Sequence, residues 1–116
     1  MGTGTSGDRN TGGELKGVTA QSALVQYQPD AVVSRPVLRN GGGTVTAFAF
    51  DVGQTLSEHT TPFEALMLVV DGEAEILVAD TLHRVTAGQL VRLPGGEPHA
   101  VKALTRAKMI LIMLRA

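Results

Sequence analysis

The stretch LMLVVDGEAEILVA, residues 66–79, decides the architecture. Leu66 to Val70 is an unbroken aliphatic run closed by Asp71-Gly72, a dipeptide that favours a tight hairpin turn. From Glu73 onward the pattern alternates: Glu73 and Glu75 point one way, and Ala74, Ile76 and Val78 the other. A period of two is the signature of a strand with one wet and one dry face. Upstream, TVTAFAFDV (residues 44–52) alternates in the same way and puts Phe48, Phe50 and Val52 on one side. Downstream, a turn at Asp80-Thr81 leads into Leu82–Val85, a second at Ala87-Gly88 into Gln89–Leu93, and a tight Pro94-Gly95-Gly96-Glu97-Pro98 loop into His99–Ala103. Lys108–Leu114 completes the series, and residues 19–26 allow one helical turn and no more. Seven or more short strands cut by Gly, Pro and Asp turns predict an all-β sandwich or barrel. The continuous runs at 66–70 and 109–114 call for strands covered on both faces, by a second sheet or a subunit. The segment Ala31–Leu38 carries Pro36, which suits an edge strand.

Of 116 residues, 43% are hydrophobic and 18% charged, enough for one folded domain. Residues 1–17 are rich in Gly, Thr and Ser and read as a flexible N-terminal tail, with a single domain over 18–116. Gly2, Gly4 and Gly7 fit G-x-G-x-x-G, but no strand precedes them and no helix follows; Met1-Gly2 with Ser6 fits a myristoylation pattern equally loosely. The absence of cysteine excludes disulfides, thiolate metal sites and cysteine nucleophiles. Ten basic against 11 acidic residues, with four aromatics (Tyr27, Phe48, Phe50, Phe63), argue against a nucleic-acid partner. The apolar runs fall far short of the ~20 residues that span a bilayer, and no apolar leader segment is visible, so the expectation is a cytoplasmic protein without a membrane partner.

Three histidines remain as candidates for chemistry: His59, His83 and His99. His83, between Leu82 and Arg84, reads as a solvated surface residue. His59 lies in Gly53-Gln-Thr-Leu-Ser-Glu-His59-Thr-Thr-Pro-Phe-Glu-Ala, and His99 in Gly88-Gln-Leu-Val-Arg-Leu-Pro94-Gly-Gly96-Glu-Pro-His99. These stretches resemble the two signature motifs of the cupin superfamily. Gly53, His59 and Gly72 match the first motif, and Gly88, Pro94, Gly96 and His99 the second, over about residues 45–114. The chain is most similar to small single-domain bacterial, RmlC-like cupins. The resemblance implies a jelly-roll barrel, the cupin double-stranded β-helix, and commonly a homodimer with an N-terminal strand added to the partner's sheet.

Three positions depart from the metal-binding pattern of that family. The second histidine of the first motif is Thr61, its glutamate is Ala65, and the closing asparagine of the second is Ala103. His59 and His99 are thus the two family ligands that remain for a divalent transition metal, and a third would have to come from Glu64 or Gln54. Strand alternation turns Glu64 to the face opposite Ala65. The expected ligand pocket is His59, Thr61, Ala65, Met67 and His99, holding a small molecule in the barrel interior with a weakly held divalent metal as its one candidate cofactor. The alternatives are a dioxygenase-like or isomerase-like enzyme, and a structural dimerisation module in which the two imidazoles bond each other, Thr61 or water.

Overall fold

The computed structural model describes residues 13–115. After a short 3-10 turn, Gln21–Ala23, come nine strands: β1 (Val32–Asn40), β2 (Gly43–Phe50), β3 (Thr55–His59), β4 (Glu64–Asp71), β5 (Glu73–Val78), β6 (Thr81–Thr86), β7 (Leu90–Leu93), β8 (His99–Ala103) and β9 (Ala107–Leu114). They form two antiparallel sheets, one in the order β1-β2-β9-β4-β7 and one in the order β3-β8-β5-β6. This is an all-β jelly-roll barrel. β1 is an edge strand, and its register shifts between Pro36 and Leu38, where a ladder donor is missing. Among the described residues no helix is long and apolar enough to cross a membrane.

The Asp71-Gly72 dipeptide does not close a hairpin. β4 pairs with β7 and β9, while β5 pairs with β6 and β8. The chain turns a corner there and passes from one sheet to the other. Gly72 adopts φ +75°, and a Cβ at this position would stand 1.9 Å from the Arg106 carbonyl oxygen. Only glycine meets both demands. The aliphatic run before it is therefore a central strand, flanked on both sides by backbone partners.

The inward residues of the two sheets interdigitate. Phe50, Met67, Ile76, Leu93 and Met109 are at most 1% exposed and form the centre of the core. Each such side chain contributes about 1.5–3 kcal/mol by leaving water. The outer face of the five-stranded sheet is also apolar, with Val33, Val37, Ala47, Ala49 and Ile110 buried. The chain's own N-terminal strap covers part of this face, through Leu24 and Val25. Lys108 Nζ donates to the Ser22 carbonyl (2.6 Å), Tyr27 Oη to Asp71 Oδ2 (2.5 Å) and Arg35 Nη1 to the Leu24 carbonyl (3.0 Å), which pin the strap down. The pairing starts ahead of Val18: Leu15 N donates to the Val37 carbonyl at 2.9 Å, and Arg35 Nε to the Gly13 carbonyl at 2.7 Å. Most of the expected tail, including both loose motif matches, lies outside the described residues.

The strap leaves part of the outer face open. The register aligns Leu38, Val45, Ile112 and Leu66 in one row across four strands. Leu38 in this row, and Leu90 and Leu114 on the neighbouring positions, are more than half exposed.

Candidate functional site

β3 and β8 are neighbours, and their register sets His59 opposite His99, with Val78 next across the sheet. The ladder is irregular between Leu56 and His59, the kind of break that re-aims a side chain at a strand end. The two imidazole rings meet edge to face, centroids 4.2 Å apart and planes at 68°. His59 is exposed and His99 is buried.

In each ring Nδ1 is the nitrogen that meets the protein's own groups. His59 Nδ1 lies 2.9 Å from the Ser57 carbonyl oxygen, so the neutral ring that makes this bond carries its proton on Nδ1 and a free lone pair on Nε2. His99 Nδ1 is buried and makes no hydrogen bond. Burial holds the His99 pKa below the ordinary histidine value, and the neighbouring His59 pushes the same way. The Glu97 carbonyl opposes both without closing a hydrogen bond to Nδ1. His99 is therefore neutral at pH 7.

Two loops make the rim around this pair. Gly96 N donates to the Thr61 carbonyl at 2.7 Å, and a Cβ on Gly95 would stand 2.6 Å from the Pro62 carbonyl oxygen. The loop that leaves His59 and the loop that delivers His99 are thus locked together. The Thr61 hydroxyl is used inside this rim, accepting from Phe63 N at 3.3 Å. Ala65 lies at the rim end of β4, paired with Leu93 and Met113 on its two sides. Met67 is one step deeper, 1% exposed within the core cluster.

The other candidate ligands stand elsewhere. Glu64 faces outward, as alternation predicts. It accepts from Arg92 Nη2 (2.8 Å) and Nε (3.0 Å) and from Gly95 N (3.0 Å), and these donors hold its carboxyl below the usual carboxylate range. Gln54 precedes β3 at the end opposite His59, about 16 Å away at strand rise. That separation takes it out of reach of an ion shared with His59. His83 is exposed on β6, opposite Ile76. Among the described residues no three His, Cys, Asp or Glu side chains converge. Catalytic zinc sites have three protein ligands and non-haem iron sites two histidines and a carboxylate, so this donor set does not fit a resident ion of either kind.

Arg115 is the residue that sequence reasoning passed over. Its guanidinium carbon lies 5.2 Å from the centre of the Phe63 ring. Met109, Leu111 and Met113 alternate inward, and the same count carries Arg115 onto the inner face beyond the strand end; that was the available signal.

A jelly roll with two imidazoles paired at one end defines a barrel protein of the cupin class. The chain matches the family described as "Cupin domain" over residues 47–114. It belongs to that family. A conserved protein of unknown function from Streptococcus pyogenes has a similar structure, with TM-score 0.83 and 29% identity over 89% of this chain and 90% of that one. A cupin superfamily protein from Desulfitobacterium hafniense gives TM-score 0.80 and 24% identity over 87% of this chain and 92% of its own. A "Cupin 2 conserved barrel domain protein" from Leptotrichia buccalis gives TM-score 0.78 and 32% identity over 81% of this chain, which spans 46% of that protein. No curated protein matches the chain.

Proposed function

We propose that this cupin protein binds a small molecule at the open end of its barrel through His59 and His99, without a tightly held metal ion. The observation that carries the reading is the ring contact at 4.2 Å between two histidines whose Nδ1 atoms are taken up, one by the Ser57 carbonyl and one by burial. With both Nδ1 atoms taken up, the Nε2 atoms of the two touching rings are the ones left to accept from, or donate to, one polar group on a ligand. Ala65, in place of a carboxylate, makes the ligand space roomier and uncharged, and Met113 and Leu93 beside it supply an apolar wall.

The test uses protein purified without chelator or affinity metal, screened by thermal shift against a panel of small metabolites. A stabilising compound is expected to raise Tm with concentration, since it binds only the folded state. Its effect disappears in His59→Gln and His99→Gln. Undiminished stabilisation in both variants would place the ligand somewhere else.

A second reading, acid–base catalysis without metal, is favoured by the hydrogen bond from His59 Nδ1 to the Ser57 carbonyl, because it leaves Nε2 as a base. Turnover of the stabilising compound, lost in His59→Gln, is its test. Beyond the ligand, the partner we propose is a second copy of the chain, docked on the open row of leucine, valine and isoleucine on the five-stranded sheet.

A further inference from the structure

Resting on the reading of the barrel end as a ligand pocket, we propose that its ligand is a small carboxylate-bearing molecule, with the carboxylate received by Arg115 at the mouth. Glu64 pairs with Leu114, so Phe63 and Arg115 lie one residue beyond the paired ends of β4 and β9. Alternation puts both on the face that carries Ala65 and Met113. The guanidinium sits over the Phe63 ring at 5.2 Å. A cation–π contact with an aromatic ring holds the guanidinium without using its N–H donors, which stay available to a planar anion.

The charge balance around Arg115 also points to an anion. Arg84 is paired with Glu73, Arg92 with Glu64 and Arg106 with Asp51; of the described arginines without an ion pair, Arg35 is spent on the Gly13 and Leu24 carbonyls, Arg39 lies on the edge strand β1, and Arg115 stands at the rim. Of the rim carboxylates, Glu64 faces outward and is already neutralised by Arg92, and Glu97 is exposed on the loop between Gly96 and Pro98. Phe63 belongs to the loop that begins after His59, and that loop is bonded through Thr61 to the loop that delivers His99. Arg115 and the imidazole pair therefore stand on one rim. A ligand fitting all three features carries its carboxylate at Arg115, an aliphatic body along Met113 and Ala65, and a hydroxyl or carbonyl at the Nε2 atoms.

The probes are 2-hydroxy-4-methylpentanoate and its carboxamide, which match in shape and differ in charge. Each is titrated into the full chain while the histidine ring resonances and the backbone amide spectrum are followed by NMR. The acid is expected to shift the His59 and His99 rings saturably and to bind about tenfold tighter than the amide, the margin one charge-assisted contact supplies. In Arg115→Gln, with the amide spectrum showing an intact fold, the two probes bind alike; Arg115→Lys retains part of the margin. Equal binding of acid and amide to the unmodified protein, with the histidine rings shifting, overturns the proposal and leaves the pocket in place. Acid binding undiminished in Arg115→Gln overturns it, and so does acid that leaves the histidine rings unmoved.

Discussion

At the scale of single residues, His99 carries the most physical tension. Its pKa is pushed down by burial first and by His59 second, relative to about 6.5 in an unfolded chain. The unfolded state therefore takes up the proton at higher pH than the folded state does. The stability this group contributes is complete above about pH 6.5 and is lost as the pH falls from there through the lower folded value. Thermal unfolding between pH 8 and pH 5 should show Tm declining across that window, with a visibly flatter profile in His99→Gln. Parallel profiles would mean that the buried ring is not the origin. Ala79 is a second strained residue: it adopts φ +54° as the first of the two residues joining Val78 to Thr81. Glycine leads at that position of a hairpin. Ala79→Gly is expected to stabilise the fold by about 0.5–1 kcal/mol, read as a rise in Tm. A lower Tm would contradict the strain. The histidine pair was legible from motif spacing. Arg115 was not, because a lone cation after an apolar strand carries no pattern of its own until the register is known.

At the scale of elements, the strands with apolar alternation were legible to within a few residues, and β3 was not. Thr55–His59 is mostly exposed and polar, an edge strand whose identity comes from its partner β8 and not from its own side chains. The Asp71-Gly72 corner was misread for a related reason. The dipeptide announces a tight change of direction, but the choice between pairing back and crossing to the other sheet depends on what β9 offers in space. The β7–β8 loop is the element that builds the site, and its tightest point is Gly95. Alanine there would bring Cβ to 2.6 Å from the Pro62 carbonyl oxygen with no left-handed φ involved, so the cost is purely one of contact. Gly95→Ala should lower stability by roughly 1–3 kcal/mol and loosen the rim. Gly41→Ala, with nothing within 4 Å, is the matched control and should change little. Equal Tm values for the two variants would show that the rim loops are not locked as described.

At the scale of the whole molecule, both faces of the five-stranded sheet are apolar, and the strap explains the cover of only one half. The all-β class and the need for two-sided burial were readable from the runs at 66–70 and 109–114. That the cover comes from residues 24 and 25 of the same chain was not, since they sit in a stretch without periodicity. The remaining row of Leu38, Val45, Ile112 and Leu66 predicts self-association. Sedimentation equilibrium should give a dimer at micromolar concentration. The double variant Leu38→Glu, Leu114→Glu, which alters two exposed positions, should give a folded monomer. A monomeric parent protein, or a variant that stays dimeric, would assign that face another role.

Two imidazoles working as a binding pair without a third ligand are the centre of the proposed function. Elemental analysis of the protein, purified with neither chelator nor affinity metal, tests this most directly. The prediction is transition metal far below one ion per chain, unchanged in His59→Gln and His99→Gln. One tightly held ion per chain, lost in both variants, would contradict it.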